Sequence, residues 1–395
     1  MLDAFLEGQS PQLWTMSQDA NQFERFRNLL SGRLVNSLNP EQINQQTTQA
    51  SLAQAQFKAC IEVIHDGSDI RKPYARKLPN LTKVRSLEGN LVNGFNSFNS
   101  LMITDIDKRL HLLESTSYST ADDHYGVLAG VSISAHDIQR NQIQRVDSAL
   151  KERFPGLPIR HLLDRGHDDA DLFGFIGGEV QSRFVIRAKL NRNYPPDPSQ
   201  KLHQAVLKGH SQTDLDKFIW RGNVYQQARM ILDWGPIELA GVGYWVVRCQ
   251  LYKRTGESIF KEPMVLITNE LMASHGEAFG IYQAYLRRSR IETVFKFLKE
   301  QLGWETFRVR DFYVIQNVLA LCYWSCGYFY EQRAELSQDN AVLWLCRLAK
   351  SKGKMTLHFL LKGLVIVANH LLFEAFVEEA GLTQEDVQQL IDYVK

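Results

Sequence analysis

The sequence predicts an α/β fold: a core of alternating strands and helices, interrupted by a β-rich insertion and flanked by helical N- and C-terminal regions. Three observations carry that reading. Between Cys60 and Lys189, short apolar runs of strand character alternate with segments of helical period. After a Pro-rich break at Asn191–Ser199 come runs rich in β-branched and aromatic residues, separated by Gly and Pro. From Tyr282 onward the apolar residues recur at helix spacing.

At 395 residues, a prior of about 100–200 residues per domain gives two to three domains. Hydrophobic residues at 44% and charged residues at 23% exclude a mainly disordered chain. A net charge of +1 names no partner. The apolar runs Val318–Tyr330 and Gly363–Phe373 fall short of the roughly 18 residues that span a bilayer. The first residues lack the basic-then-apolar order of a secretory signal. Cys60, Cys249, Cys322, Cys326 and Cys346 are scattered and mostly inside apolar runs, as reduced core thiols are. A soluble cytoplasmic protein is expected.

Residues 1–57 read as helical. Phe23, Phe26, Leu29 and Leu30 repeat at helix spacing before Gly32, and Asn39-Pro40 supplies a cap and first-turn proline for a polar helix. The core begins at 58. CIEVIHD is a strand that stops at Gly67; FNSFNSLMITD and RLHLLESTSYS are two more. Ile143, Val146, Leu150 and Phe154 mark a helix face, IRHLLD a strand, ADLFGFIGGEV a short helix and RFVIRAK another strand. Three strands, helix, strand, helix, strand is the order of a ribonuclease-H-like core. The β-rich insertion occupies 191–273, the core resumes over 274–310, and 311–395 is a helical region suited to dimerisation. Gly241-Val-Gly243 reads as a hairpin turn and Cys322/Cys326 as helix-core packing. Trp220, Trp234 and Trp245 suit packing or base stacking.

Charge is uneven along the chain. Arg71–Arg85 holds six basic residues and no acid, while Glu374–Lys395 holds six acids against one lysine. Each suits a solvated face. A basic loop beside a reactive site would also attract a polyanion.

The informative stretch is Tyr282–Glu300. Read as one helix, it places Tyr285, Arg288, Glu292, Lys296 and Lys299 in a contiguous line beside an apolar stripe of Ile291, Val294, Phe295, Leu298 and Leu302. An amphipathic helix with spaced salt bridges has the same pattern. Two further acids sit at strand ends: Asp66 before Gly67-Ser68, and Asp164 before Arg165-Gly166. Either is also a turn former, although Asp168 or Asp169 is available to cap the next helix. His65 points away from Asp66 across the strand and reads as packing or as a donor behind the site; His167 could reach a metal or phosphate, but loop histidines are mostly solvated. Three carboxylates on two strands and a helix suit two-metal phosphoryl transfer, with Arg and Lys beside them gripping phosphates.

Tyr285-x2-Arg288-x3-Glu292-x6-Lys299 is similar to the signature of the DDE transposases of the bacterial insertion-sequence-4 type. IHDGSDIRKPYA, LLDRGHDDADLF and RFVIRAK resemble further segments of that family, so the resemblance spans about Ile61–Glu300. It implies Asp66, Asp164 and Glu292 as catalytic acids holding two Mg²⁺, with Mn²⁺ substituting. It implies Tyr285, Arg288, Lys296, Lys299, Arg187, Arg165 and Lys72 as phosphate contacts. The implied partners are double-stranded DNA, as inverted-repeat element ends and target, and a second copy of the chain in the DNA complex. The implied activity is cut-and-paste transposition in a bacterial cytoplasm, at the nucleoid. The N-terminal helices are the expected end-recognition element. The sequence departs from many relatives at Ser289, where they have tryptophan, and at Met264, where hairpin-forming relatives have an aromatic. Rival readings are a metal-dependent nuclease of the same fold and a non-catalytic DNA-binding regulator.

Overall fold

The computed structural model describes residues 20–32, 37–121, 125–128, 131–220, 223–336, 345–346, 348–349 and 358–367. Residues 1–19 and the acidic stretch 374–395 lie outside this set, as does much of the region expected to dimerise. No described helix is long and apolar enough to cross a membrane.

Strands β1 (Ile61–Arg71), β3 (Leu91–Ile103) and β4 (Leu110–Tyr118) form an antiparallel meander. Helix α3 (Ala135–Arg153), β7 (Ile159–Leu163), the helical segment Ala170–Glu179 (α4, Ala170–Gly174, and a π turn) and β8 (Arg183–Arg187) follow. β7 pairs parallel to β1, and β8 parallel to β7. The predicted element order is therefore present. Short pairs add β2 (Thr82–Arg85), β5 (Tyr125–Leu128) and β6 (Val131–Ile133), β9 (Asn193–Tyr194) and β10 (Asp197–Lys201), which the sequence reading did not resolve.

β1 does not stop at Gly67. It pairs with β3 through Gly67↔Phe98 to Arg71↔Gly94, so Asp66 lies mid-strand. Gly-Ser reads locally as a turn, but a long partner ladder overrides that preference. The close of this ladder needs Gly94: a Cβ there would meet the Ile70 carbonyl oxygen at 2.3 Å.

The β-rich stretch is continuous with the core sheet. β11 (Gly209–Trp220), β12 (Asn223–Leu239), β13 (Val242–Tyr252) and β14 (Met264–Thr268) continue it antiparallel beyond β8, in the order β11-β12-β13-β14-β8-β7-β1-β3-β2, with β4 beside β2 on β3. Covering β8's edge in this way leaves no open strand at the centre. Ala240 and Gly241 take φ of 51° and 77° at the β12–β13 turn, as a two-residue hairpin requires. Trp234 and Trp245 pack against the core, and Met264 is buried, so none of these three is a free stacking surface.

On one face of the sheet, Ile64, Leu162, Val185 and Leu266 pack against α5 (His275–Arg287), α6 (Arg290–Glu300) and α7 (Phe312–Leu336). Ile291, Val294, Leu298 and Leu302 are fully buried, as their spacing predicts. Cys322 and Cys326 are buried in α7, and burial pushes the Cys322 thiol up to about 12. On the other face, Ile143 of α3 and Phe173 and Ile176 of the helical segment cover Phe98, Leu163, Phe184 and Ile186.

Helix α1 (Ala20–Leu30) ends before Gly32, whose φ is +71°. Helix α2 (Pro40–Gln54) is capped by Asn39, whose Oδ1 accepts from the Glu41 amide at 2.8 Å. Its polar stripe has an unexpected use. Asn44 exchanges two hydrogen bonds of 3.0 Å with the Ser115 backbone, Thr48 Oγ1 donates to the Leu113 carbonyl at 3.0 Å, and Ser51 Oγ to that of Leu112 at 2.5 Å. Side chains of α2 thus satisfy the edge of β4 that no described strand pairs. Within 1–57, expected to be the DNA-reading region, the second helix commits this stripe to the sheet.

A hydrogen-bonded chain crosses beneath β1 and β7. His65 Nδ1 meets Ser100 Oγ at 2.7 Å, His65 Nε2 meets His161 Nδ1 at 2.8 Å, and His161 Nε2 meets Asp147 Oδ1 at 3.1 Å. The carboxylate can only accept, so donation runs from Ser100 through both imidazoles to Asp147, and both rings are satisfied while neutral. Burial and the neighbouring His161 hold His65 well below the usual range. Burial likewise pushes His111 down to about 4; it is 4% exposed, and neither ring nitrogen has a partner among the described residues.

Both histidines titrate lower folded than unfolded, so the unfolded chain binds more protons and stability is lost as pH falls below about 6.5. For His111 the loss accumulates to about pH 4 and reaches about 3 kcal/mol. Urea unfolding at pH 7.5 and 4.5 should show the drop, and His111→Phe should shrink it by about 2–3 kcal/mol. Equal drops in the two proteins would mean that His111 is not buried and neutral.

Candidate active site

In the parallel β1–β7 pair Ile64 faces Leu162, so two residues further on Asp66 and Asp164 stand side by side on one face. In β7–β8 Leu163 faces Ile186, which puts Arg187 next to Asp164. Asp66, Asp164 and Arg187 therefore form a row just past the point where the parallel pairing of the three strands ends. The end of α5 lies over this row.

Tyr282–Glu300 is two helices, not one. α5 ends at Arg287, and α6 begins at Arg290. The joint is tightened by i→i+3 bonds: the Arg288 amide donates to Tyr285 O at 3.0 Å and that of Ile291 to Arg288 O at 3.2 Å. Ser289 Oγ also donates to Leu286 O at 2.9 Å. Arg287 and Arg288 pull on β1 from this joint. Arg287 Nε donates to Glu62 Oε2 at 2.5 Å, and Arg288 Nη1 to Asp66 Oδ2 at 2.6 Å. Glu62 and Asp66 share a strand face about 13 Å apart, four residues at about 3.3 Å each. Two consecutive arginines diverging to such positions are a tertiary reason for the break.

Arg288 also reaches Glu292, with Nη2 3.4 Å from Oε1; the Glu292 side chain is 65% exposed. One guanidinium thus spans the first and third acids. Burial raises the Asp66 carboxyl above its usual range and the charge of Asp164 adds to this, against the pull of Arg288. For Asp164, burial pushes upward too, but the His167 hydrogen bond and charge, Arg288 and the Gly166 amide outweigh it, and the net shift is downward. Two neighbouring carboxylates are thereby driven apart in acidity. Burial raises the Tyr285 hydroxyl, which feels the charges of Arg288, Arg187 and Asp164 and so belongs to the same cluster.

The remaining predicted residues divide. Arg165 is exposed in the turn after Asp164, and Arg187 is half-buried; neither side chain makes a hydrogen bond or ion pair among the described residues. Lys296 is exposed, 3.9 Å from Glu300. Lys299 and Lys72 are not free phosphate grips. Lys299 Nζ donates to Asp69 O at 2.6 Å and lies 3.5 Å from Glu305, while Lys72 Nζ donates to Phe307 O at 2.6 Å and sits 3.4 Å above the Phe307 ring centre. Burial brings Lys72 down to about 8. With Arg71, bonded twice to Glu305 at 2.9 Å, they pin the end of β1 to the segment after α6.

Sequence reasoning missed two features. His167 is not solvated: its ring is 10% exposed and Nδ1 lies 2.8 Å from Asp164 Oδ1. Glu62 is the centre of a network with Arg287 and Arg160, and Arg160 and Arg183 in turn hold Glu270. The three-residue spacing from Asp164 to His167 was a visible signal. The network, which joins positions far apart in the chain, had none.

The acids suit a hard divalent cation, which prefers a few carboxylate oxygens. Among the described residues, however, no three His, Cys, Asp or Glu side chains stand close enough to hold one. Asp66 and Asp164 are adjacent, and Glu292 is held out on Arg288.

A family model described as the transposase DDE domain matches residues 119–325, just over half of the chain. The match includes Asp164, Tyr285, Arg288 and Glu292 and begins downstream of Asp66. Comparison with curated proteins finds no match. Among solved structures, an endonuclease V from Bacillus subtilis is 12% identical over 71% of this chain and 94% of its own, at a TM-score of 0.24.

Proposed function

The chain belongs to the transposase DDE-domain family, and from that premise we propose that it is a cut-and-paste transposase of the insertion-sequence-4 type, with Asp66, Asp164 and Glu292 as its acids. The observation that carries the reading is the adjacency of Asp66 and Asp164 on parallel strands β1 and β7, beneath an arginine that also reaches Glu292. The strand order β4-β3-β1-β7-β8, with only the last three parallel, supports a ribonuclease-H-like core over 58–190 and 274–310.

The three acids would hold two Mg²⁺, for which Mn²⁺ substitutes. When bound, the ions supply an activated water or 3′-hydroxyl and stabilise the leaving oxygen. The chain's own residues do the rest. Asp66 and Asp164 offer oxygens from the rigid sheet, Asp66 from within β1 and Asp164 from just past β7. Arg288 holds Asp66 and reaches Glu292, and its guanidinium fork would offer a bidentate grip to a phosphate beside the cut. Arg187, Arg165 and Tyr285 line the same edge for flanking phosphates, and Lys296 is exposed along the next helix. Lys72 and Lys299 act by holding the strand that carries Asp66. The DNA is the element's inverted-repeat ends and a target, bound by a homodimer in the cytoplasm at the nucleoid. Within residues 1–57, end recognition falls to parts other than the stripe of α2 that covers β4.

The test incubates purified protein and Mg²⁺ with a duplex bearing the DNA that flanks its gene and a supercoiled target plasmid. Joined products are expected, with binding that weakens steeply as salt rises. Hydrolysis without joining would favour the nuclease reading, and binding without either reaction the regulator.

A further inference from the structure

We propose that His167 and the Gly166 amide form a clamp that orients the Asp164 carboxylate, making His167 a positioning residue of the site; this rests on the reading of Asp164 as a metal-holding acid. Asp164 Oδ1 accepts from the Gly166 amide at 2.9 Å and from His167 Nδ1 at 2.8 Å. An ionised carboxylate only accepts, so Nδ1 carries the hydrogen. With Oδ1 taking both donors, Oδ2 makes no hydrogen bond among the described residues and is the atom left for a cation.

The clamp is rigidly mounted. The His167 ring is packed near Phe98, 5.6 Å between centroids, and is 10% exposed. The turn is tied down one residue later: buried Asp168 accepts from the Lys189 amide at 2.7 Å and from Arg192 Nε at 2.9 Å. A separate observation points the same way. A Cβ on Gly166 would stand 3.0 Å from Asp164 Oδ1, close enough to displace it. Gly166 is not among the positive-φ glycines, so the close approach of the carboxylate, and not the backbone, is what favours a glycine there. Fixing which oxygen faces the cation is what outer hydrogen bonds do for acidic ligands, and their loss costs about 10–100-fold in metal affinity.

The test titrates Mn²⁺ alone into the full-length protein by calorimetry, with thermal melts alongside. His167→Ala is expected to weaken Mn²⁺ binding by about 10–100-fold while the protein still melts in one cooperative transition above the titration temperature, and Gly166→Ala to weaken it comparably. His167→Asn, whose amide donates from nearly the position of Nδ1, is expected to recover most of the loss. The proposal falls if His167→Ala binds like the unchanged protein, or if His167→Asn is as weak as His167→Ala. Asp164→Asn separates the premise from the clamp. If that variant keeps full Mn²⁺ binding, Asp164 is not a metal-holding acid and both readings fail. If it loses binding while His167→Ala does not, only the clamp fails.

Discussion

Asp66→Asn is expected to lose DNA cleavage by a factor on the order of 10³ or more while duplex binding changes little. The amide keeps the shape and can still accept from Arg288, but it cannot supply the charge a divalent cation needs. The fold should tolerate the change. Burial already disfavours the charged form of Asp66, so at neutral pH its ionised state opposes folding, and removing the charge does not remove a stabilising term. Asp164→Asn and Glu292→Gln should fail in the same way, with melting midpoints within a few degrees of the unchanged protein. Cleavage surviving in any of the three would remove that residue from the acid set.

Glu62→Ala is expected to cost about 2–3 kcal/mol of stability, because half-buried Arg287 loses its charged hydrogen-bond partner while Arg160 keeps Glu270. The Glu62 side chain is 9% exposed and receives Arg287 and Arg160, whose own side chains are 27% and 16% exposed. Arg287 is the residue before Arg288, so the variant should also lower cleavage at temperatures where it remains folded. The helix joint would no longer be held against β1. Urea unfolding measures the first effect, and single-turnover cleavage the second. A loss below about 1 kcal/mol would place the network among solvated surface pairs, and α5 would need another anchor.

Much of the fold was legible because local pattern and burial agree. Apolar runs between turn signals marked β1, β3, β4, β7 and β8, and the stripe Ile291–Leu302 is the buried face of α6. Local pattern misled where a distant partner decides. Gly67-Ser68 reads as a turn, yet β3 holds both in the ladder. The polar residues of α2 read as solvent-facing or DNA-facing, yet three of them satisfy the edge of β4. The lysines of the signature read as phosphate contacts, yet Lys299 is taken up by Asp69 and Glu305.

By itself the sequence determined the element order, an acid on each of two strand segments and one on a helix, and the spacing of Tyr285, Arg288, Glu292 and Lys299. These depend on periodicity and residue type, which are written along the chain. Only the tertiary structure decided that Asp66 and Asp164 are neighbours, that the helix breaks at Arg288, that His167 bonds to Asp164 and that Glu62 holds Arg287. Strand register and buried ion pairs join residues tens to hundreds of positions apart, and local preferences carry no information about such pairings.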